Sequence, residues 1–178
     1  MGMQSEARRR EAARQVKLAG TDVSVNRKNE IRDLIARRAY ELFESHGHIH
    51  GRDINDWIDA ESEVLRPCRH ELKEAAGALI FFADLPGSFT VDQISVSVEP
   101  RRLTISGERK IDVICGGNES AHTEKKTQRI FLIEELPVEV DPSRTATKLD
   151  GEILEIVMPI LTDTNAFGEK AFAASSKR

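Results

Sequence analysis

The sequence predicts a mainly β protein, an antiparallel β-sandwich preceded by an α-helical hairpin. Apolar residues recur with a helical period over residues 29–66, and after Gly77 the period changes to two. The short strands of the second part are separated by turn residues with no helix between them, as in a sandwich. The predicted divisions are a disordered basic arm 1–28, the helical hairpin 29–66, a linker 67–77, the sandwich 78–160 and a flexible tail 161–178.

The helical hairpin is predicted from its apolar stripe and from the residues that commonly begin and end helices. Asn29 is placed to cap the first helix, and Gly47 supplies a residue that commonly ends one. The second helix is expected to start at Asp53 and to stop before Pro67. The apolar stripe of the first helix consists of Ile31, Leu34, Ile35, Ala39, Leu42 and Phe43.

Three of the five histidines lie in the connection between these helices, in "HGHIHG" at 46–51. A metal site needs three or four converging ligands on a rigid scaffold. His46, His48 and His50 instead lie in a glycine-flanked turn without an evident carboxylate partner. We therefore interpret them as polar turn residues and predict neither a metal nor a cofactor.

Seven short segments have the pattern of strands. A charged, glycine-containing interval between Gly107 and Gln128 interrupts the series of short strands and is expected to be a long loop. It carries one apolar island, at Ile111, Val113 and Ile114. The predicted strands are 78–86, 93–99, 102–108, 129–133, 136–140, 145–149 and 153–158.

Two stretches of this half of the chain resemble the alpha-crystallin domain of small heat-shock proteins. They are "FFADLPGSFTVDQISVSVEPRRLTISGERK" at 81–110 and "ELPVEVDPSRTATKLDGEILEIVMP" at 135–159. The resemblance implies an immunoglobulin-like sandwich of the alpha-crystallin type. It also implies a homodimer that holds unfolding client proteins without ATP, as part of the stress response and of protein folding. In bacterial members the long loop pairs with the partner subunit, which implies dimer contacts for Ile111, Val113, Ile114 and Arg129.

The chain departs from that family at three places. Gly151 stands one position before the usual glycine, and Leu132 occupies the place of a basic residue, with Arg129 displaced upstream. The segment 161–178 has no Ile-x-Ile or Val-x-Ile motif, which in the family docks on a neighbouring sandwich. Its absence favours a dimer or small oligomer over a large shell.

The predicted client-binding surface is an apolar stripe on the strands of the sandwich. Alternating apolar residues of strands are ordinarily buried, so the same side chains are more readily expected as core. The stripe consists of Val96, Val98, Leu103, Ile105, Leu154 and Ile156.

Residues 38–65, "RAYELFESHGHIHGRDINDWIDAESEVL", resemble a short bacterial domain of unknown function. This resemblance implies no activity. An alternative function is a non-chaperone scaffold or co-chaperone that recognises one folded partner through the helical hairpin. It is supported by a basic arm that lacks phenylalanine and by the missing tail motif.

Composition and motifs weigh against other classes of function. The net charge of −4 does not favour nucleic acid, although residues 8–17 form a short basic run. No catalytic motif such as G-x-S-x-G or H-E-x-x-H occurs, so the chain is not expected to be an enzyme. Cys68 and Cys115 form no disulfide framework, and no segment reads as a signal or a membrane span. A cytoplasmic protein without a membrane partner is expected.

Overall fold

The computed structural model describes residues 15–115 and 122–161, in which two helices precede a two-layer sandwich. One antiparallel sheet has the strand order β1-β2-β7-β6 and the other has the order β3-β4-β5. The helices are α1 (Thr21–Ser45) and α2 (Asp53–Val64). The strands are β1 (Arg69–Ala75), β2 (Ala78–Asp84), β3 (Ile94–Glu99), β4 (Arg102–Cys115), β5 (His122–Glu135), β6 (Ala146–Asp150) and β7 (Ile153–Pro159). The predicted fold class is confirmed.

The hydrophobic core of the sandwich lies between the two sheets. Alternate residues of β2 and β7 are buried, as in strands with one face turned to the core. Phe81, Leu103 and Leu154 are completely buried and come from three different strands. The other members of the core include Leu79, Leu85, Val96, Ile105, Ile130, Val140, Ile156 and Met158.

Helix α1 begins eight residues before the predicted cap at Asn29. Its first two turns, "TDVSVNRK", are rich in weak helix formers, and the Gly20 cap makes no side-chain hydrogen bond. Local patterns therefore contained no sign of this extension. Gly47, with φ +76°, follows the helix as predicted, and α2 spans the expected residues.

The segment 67–77, predicted as a linker, contains strand β1. β1 pairs antiparallel with β2 from Arg69↔Asp84 to Ala75↔Ala78. Six of its seven residues are exposed, and only Leu72 is half-buried. An edge strand without a buried face has no period of two, which is why the pattern did not reveal it.

The interval predicted as a loop between Gly107 and Gln128 is largely a β-hairpin. β4 and β5 pair continuously from Arg102↔Glu135 to Cys115↔His122. β3 ends its pairing with β4 at Gly107, so the pairs from Glu108↔Arg129 outward form a two-stranded arm. We call the described part of this arm, residues 108–115 and 122–129, the β-arm.

Two further expectations are corrected. Residues 136–140 form no strand; Val140 makes a single bridge to Ile160 instead. Residues 15–28, predicted as part of a disordered arm, are ordered against the sandwich and in α1. The basic residues at 8–14 and the tail after 161 lie outside the described residues.

Candidate functional site

An extended segment at 16–19, which we call the strap, joins the edges of the two sheets. Leu18 forms a parallel bridge with Val96 of β3, and the Ala19 N–H donates to the Val96 carbonyl at 2.7 Å. On the other side, the Thr147 hydroxyl of β6 donates to the Val16 carbonyl at 2.7 Å. Val16 is 4% exposed and belongs to the sandwich core. The strap thus covers the opening between edge strands of different sheets.

A charged cluster connects α1 to the three-stranded sheet at the base of the β-arm. Glu108 Oε2 accepts from Arg27 at 2.5 Å and from Arg129 at 3.3 Å. The second guanidinium nitrogen of Arg27 donates to Glu30 at 2.8 Å. These arginine side chains are each only 21% exposed, so solvent screens the cluster less than it screens surface pairs.

The cluster shifts the pKa values of its members in the expected directions. The hydrogen bond from Arg27 is the largest cause that lowers the pKa of Glu108 below its ordinary value, with a further contribution from Arg129. Burial opposes the charge of Arg27, but its bonds to Glu108 and Glu30 outweigh burial and raise its pKa. Both groups are therefore charged at neutral pH.

Apolar contact between helices and sandwich centres on Phe131 of β5. Ile31 and Ile35 of α1 and Ala60 of α2 form a second buried cluster, and Phe131 packs against it. Trp57, the single tryptophan, packs there too. The backbone adds one tie, because the Arg66 N–H donates to the Arg129 carbonyl at 2.8 Å.

Large apolar side chains remain exposed on the N-terminal part of the described chain. Ile54 is 75% exposed and Ile58 is 57% exposed, and the two lie one turn apart on α2. Tyr40 and Ile49 are also more than half exposed. Seven of the ten such side chains in the described residues precede the sandwich: Leu18, Val23, Val25, Tyr40, Ile49, Ile54 and Ile58.

The histidine-rich turn is organised around a buried carboxylate. Asp56 is 1% exposed, and one of its oxygens lies 2.8 Å from His46 Nδ1. The rings of His48 and His50 contact Phe43 instead. Asp56 is the carboxylate partner that the sequence analysis missed, because it lies in α2 and not in the turn itself. Across the described part of the chain, no three potential ligand side chains converge on a point where a metal ion would fit.

Strand edges of the sandwich are free for pairing in the described chain. β1 is hydrogen-bonded to β2 on one side only. In the β-arm, β4 extends beyond β3 and has one paired edge. Exposed edges of this kind tend to pair with another chain.

The structure moves the predicted client-binding stripe into the core. Val96, Leu103, Ile105, Leu154 and Ile156 are at most 2% exposed, and Val98 packs against them partly buried. An accessible stripe at these positions is therefore wrong for the folded sandwich, because the facing sheet covers it. Client contact by these side chains stays a prediction that requires the sheets to separate.

The residues predicted for the dimer contact divide into two groups. Ile114, 76% exposed, and the half-buried Ile111 and Val113 lie on the β-arm. Arg129 lies at its base, where it binds Glu108 of its own chain. The role of all four in a dimer stays a prediction.

Cys68 is half-buried beside β1. Its thiol donates to the Asp84 carbonyl at 3.2 Å, and burial, with a smaller effect of the Asp84 charge, raises its pKa to about 11. The thiolate is therefore scarce at neutral pH, which is typical of a structural cysteine.

A family model matches the helical part of the chain. Residues 31–66 match a family described as a protein of unknown function, DUF2934. No curated protein matches the chain significantly. Within the described residues, no helix is both long and apolar enough to cross a membrane.

Similar solved structures include several small heat-shock proteins. The Del-C4 mutant of hsp14.1 from Sulfolobus solfatataricus P2 is 27% identical, with a TM-score of 0.43, over 52% of this chain and 74% of that one. A point mutant of the same hsp14.1 is 27% identical, with a TM-score of 0.44, over 56% and 83%. A small heat-shock protein from Xylella fastidiosa is 19% identical, with a TM-score of 0.45, over 64% and 100%.

Proposed function

We propose that this protein is an ATP-independent chaperone, a cytoplasmic, non-enzymatic holdase that binds partly unfolded client proteins and limits their aggregation. The proposal joins the sequence resemblance to the alpha-crystallin domain with the distribution of apolar surface. The sandwich serves as a rigid base, because its own apolar side chains are enclosed between the sheets.

The observation that carries the proposal is the concentration of exposed apolar side chains on the helices and the strap. A protein that holds many different clients needs accessible apolar surface that does not fit one partner alone. The scattered Ile, Val and Tyr side chains provide such a surface. Each contact is weak, so binding is reversible and needs no nucleotide.

Self-association is the second part of the proposal. A sandwich of this size has a modest core, and pairing would cover the free edges of β1 and the β-arm. We expect a homodimer or small oligomer in which Ile114 and its neighbours on the β-arm contact the partner.

The alternative function is a scaffold for one folded partner. Ile54 and Ile58 favour it, because two isoleucines one turn apart on a helix suit a defined groove. Acidic residues surround them on α2, namely Asp53, Asp59, Glu61 and Glu63.

The deciding experiment is light scattering from heat-destabilised client proteins, with and without a stoichiometric amount of the full chain and without ATP. We expect suppression of scattering by the wild type, and weaker suppression by the double variant I54D/I58D, since charges remove apolar surface. Ile153→Asp is the control for the substitution type, because it places one such charge at an exposed isoleucine of β7.

Unchanged scattering with several clients would reject the holdase and leave the scaffold. Suppression that I54D/I58D and I153D reduce equally would place client binding elsewhere on the chain.

A further inference from the structure

We propose that Glu108, held between Arg27 and Arg129, is an electrostatic latch that keeps the helical hairpin on the three-stranded sheet. The latch limits access to the apolar surface around Phe131. This deepens the proposed function, since it states how apolar surface is regulated, but its test does not require chaperone activity.

The first step is the sparse attachment of the hairpin. Backbone hydrogen bonds tie the chain to the sandwich only near the two ends of the helical region, at Ala19 and at Arg66, among the residues described. Between these ties, the sandwich contributes Phe131 to the helix cluster and Glu108 to the charged cluster. The hairpin can therefore move away on its two ends once these contacts break.

The second step is the position of Arg27 on α1. Arg27, Ile31 and Ile35 follow each other at intervals of four residues, so they share the face of α1 that is turned to the sheet. The two isoleucines are buried and Arg27 is largely so. The ion pair thus continues the apolar contact towards the start of the helix.

The third step is the space beside the ion pair. A cleft of about 500 Å³ separates the first half of α1 from β3 and β4, and Arg27 and Glu108 line it. The apolar side chains of this half, Val23 and Val25, are at least half exposed, and residues 21–26 are weak helix formers. We therefore expect the charged contact to support the helical state of this half, together with its continuity with the buried half of α1.

The fourth step is the asymmetry of the cluster. Both arginines donate to the same oxygen of Glu108. Removal of that one charge leaves two guanidinium groups facing each other, of which Arg27 keeps its carboxylate partner Glu30. Removal of Arg27 leaves Glu108 paired with Arg129 instead. The structure therefore predicts that neutralising Glu108 opens the latch more than neutralising Arg27 does.

The test is hydrogen exchange of peptides covering residues 21–30, combined with binding of an apolar fluorescent dye, in the full chain. We expect E108Q to speed exchange there by roughly three- to tenfold, as the loss of one partly exposed charge-assisted hydrogen bond allows. The fluorescence of the apolar dye should rise in the same variant. R27Q should give a smaller increase in exchange. The double variant R27Q/E108Q should exchange more slowly than E108Q, because the repulsion between the guanidinium groups of Arg27 and Arg129 is gone.

Two matched variants separate the latch from general damage to the sheet. E135Q removes the Arg102–Glu135 pair, which crosses the same two strands at 2.9 Å, and should leave exchange in residues 21–30 unchanged. R129Q removes only the Arg129–Glu108 pair within the sheet, and it should change the exchange rate in residues 21–30 by less than about twofold. The latch is refuted if E108Q behaves like E135Q, or if R129Q matches E108Q.

Failure of the wild type in the scattering assay would reject the proposed function alone. The latch is judged by exchange and dye binding, so the two proposals fail separately.

Discussion

This protein buries individual ionisable side chains away from solvent. Asp56 is the clearest example, since it is buried and His46 Nδ1 lies 2.8 Å from it. Its second oxygen has no hydrogen-bond partner among the described residues. The oxygen that faces His46 also lies 4.0 Å from Arg52 Nε, at the limit of an ion pair. Such a carboxyl group is costly to bury, so its one side-chain hydrogen bond, to His46, should matter to the stability of the hairpin.

We predict that His46→Ala lowers the free energy of unfolding of the helical hairpin by roughly 1–3 kcal/mol, because the buried Asp56 loses its side-chain hydrogen bond and keeps only the longer contact with Arg52. Urea unfolding followed by helical circular dichroism measures the loss. His50→Ala is the control: its side chain contacts only the Phe43 ring among the described residues, and it should stay within about 0.5 kcal/mol of wild type. Equal losses for the two variants would contradict a special role of the His46–Asp56 contact.

The elements of the fold depend on one another more than their sequences suggest. α1 is extended by two turns that are rich in weak helix formers, and the strap is a short extended segment with one bridge. Each is held by tertiary contacts, α1 by Arg27 and the strap by Val16 in the core. The strap is therefore part of the sandwich although the helical hairpin separates it from the strands in sequence.

We predict that Val16→Ala destabilises the sandwich by roughly 1–2.5 kcal/mol, through lost apolar burial and the cavity left behind. Leu18→Ala is the matched control on the same strap. Because Leu18 is 38% exposed, this substitution should lower the free energy of unfolding by less than about 1 kcal/mol. Denaturant unfolding of both variants gives the comparison. A Leu18 variant as damaging as the Val16 variant would show that the strap is not anchored through the core.

The whole molecule presents two surfaces of different character. The helices and the strap carry scattered apolar side chains, whereas the sandwich offers strand edges at β1 and the β-arm. Client binding and self-association can therefore proceed on separate parts of the chain. This separation is what the proposed function requires of a holdase that stays assembled while it binds.

At this scale we predict that Ile114→Asp weakens self-association by about tenfold or more, because an interface that covers Ile114 would bury an unpaired charge. Sedimentation velocity over a range of concentrations measures the shift towards monomer. Ile153→Asp is the control on β7, outside the β-arm, and should sediment as wild type. An unchanged distribution for I114D would remove the β-arm from the interface.

The sequence by itself determined the fold class and most of the elements. A nearly continuous apolar run placed β2, and alternation with turn residues placed β3, β6 and β7, each within a residue or two. The helical stripe placed the buried face of α1, including Ile31 and Ile35. These patterns are visible because one face of each element is buried and the other is not. The family resemblance added an expectation of function that periodicity alone does not contain.

The tertiary structure alone decided which contacts join these elements. β1 lacks amphipathic periodicity because it is an exposed edge strand, although it pairs with the next strand in sequence. The early start of α1 and the strap are fixed by neighbours distant in sequence. The pairing of Arg27 with Glu108 joins residues 81 positions apart, and no local rule brings them together. Client contact by the predicted stripe stays a prediction. Alternation shows that a strand has an apolar face, and the facing sheet of the structure shows that this face is covered in the folded sandwich.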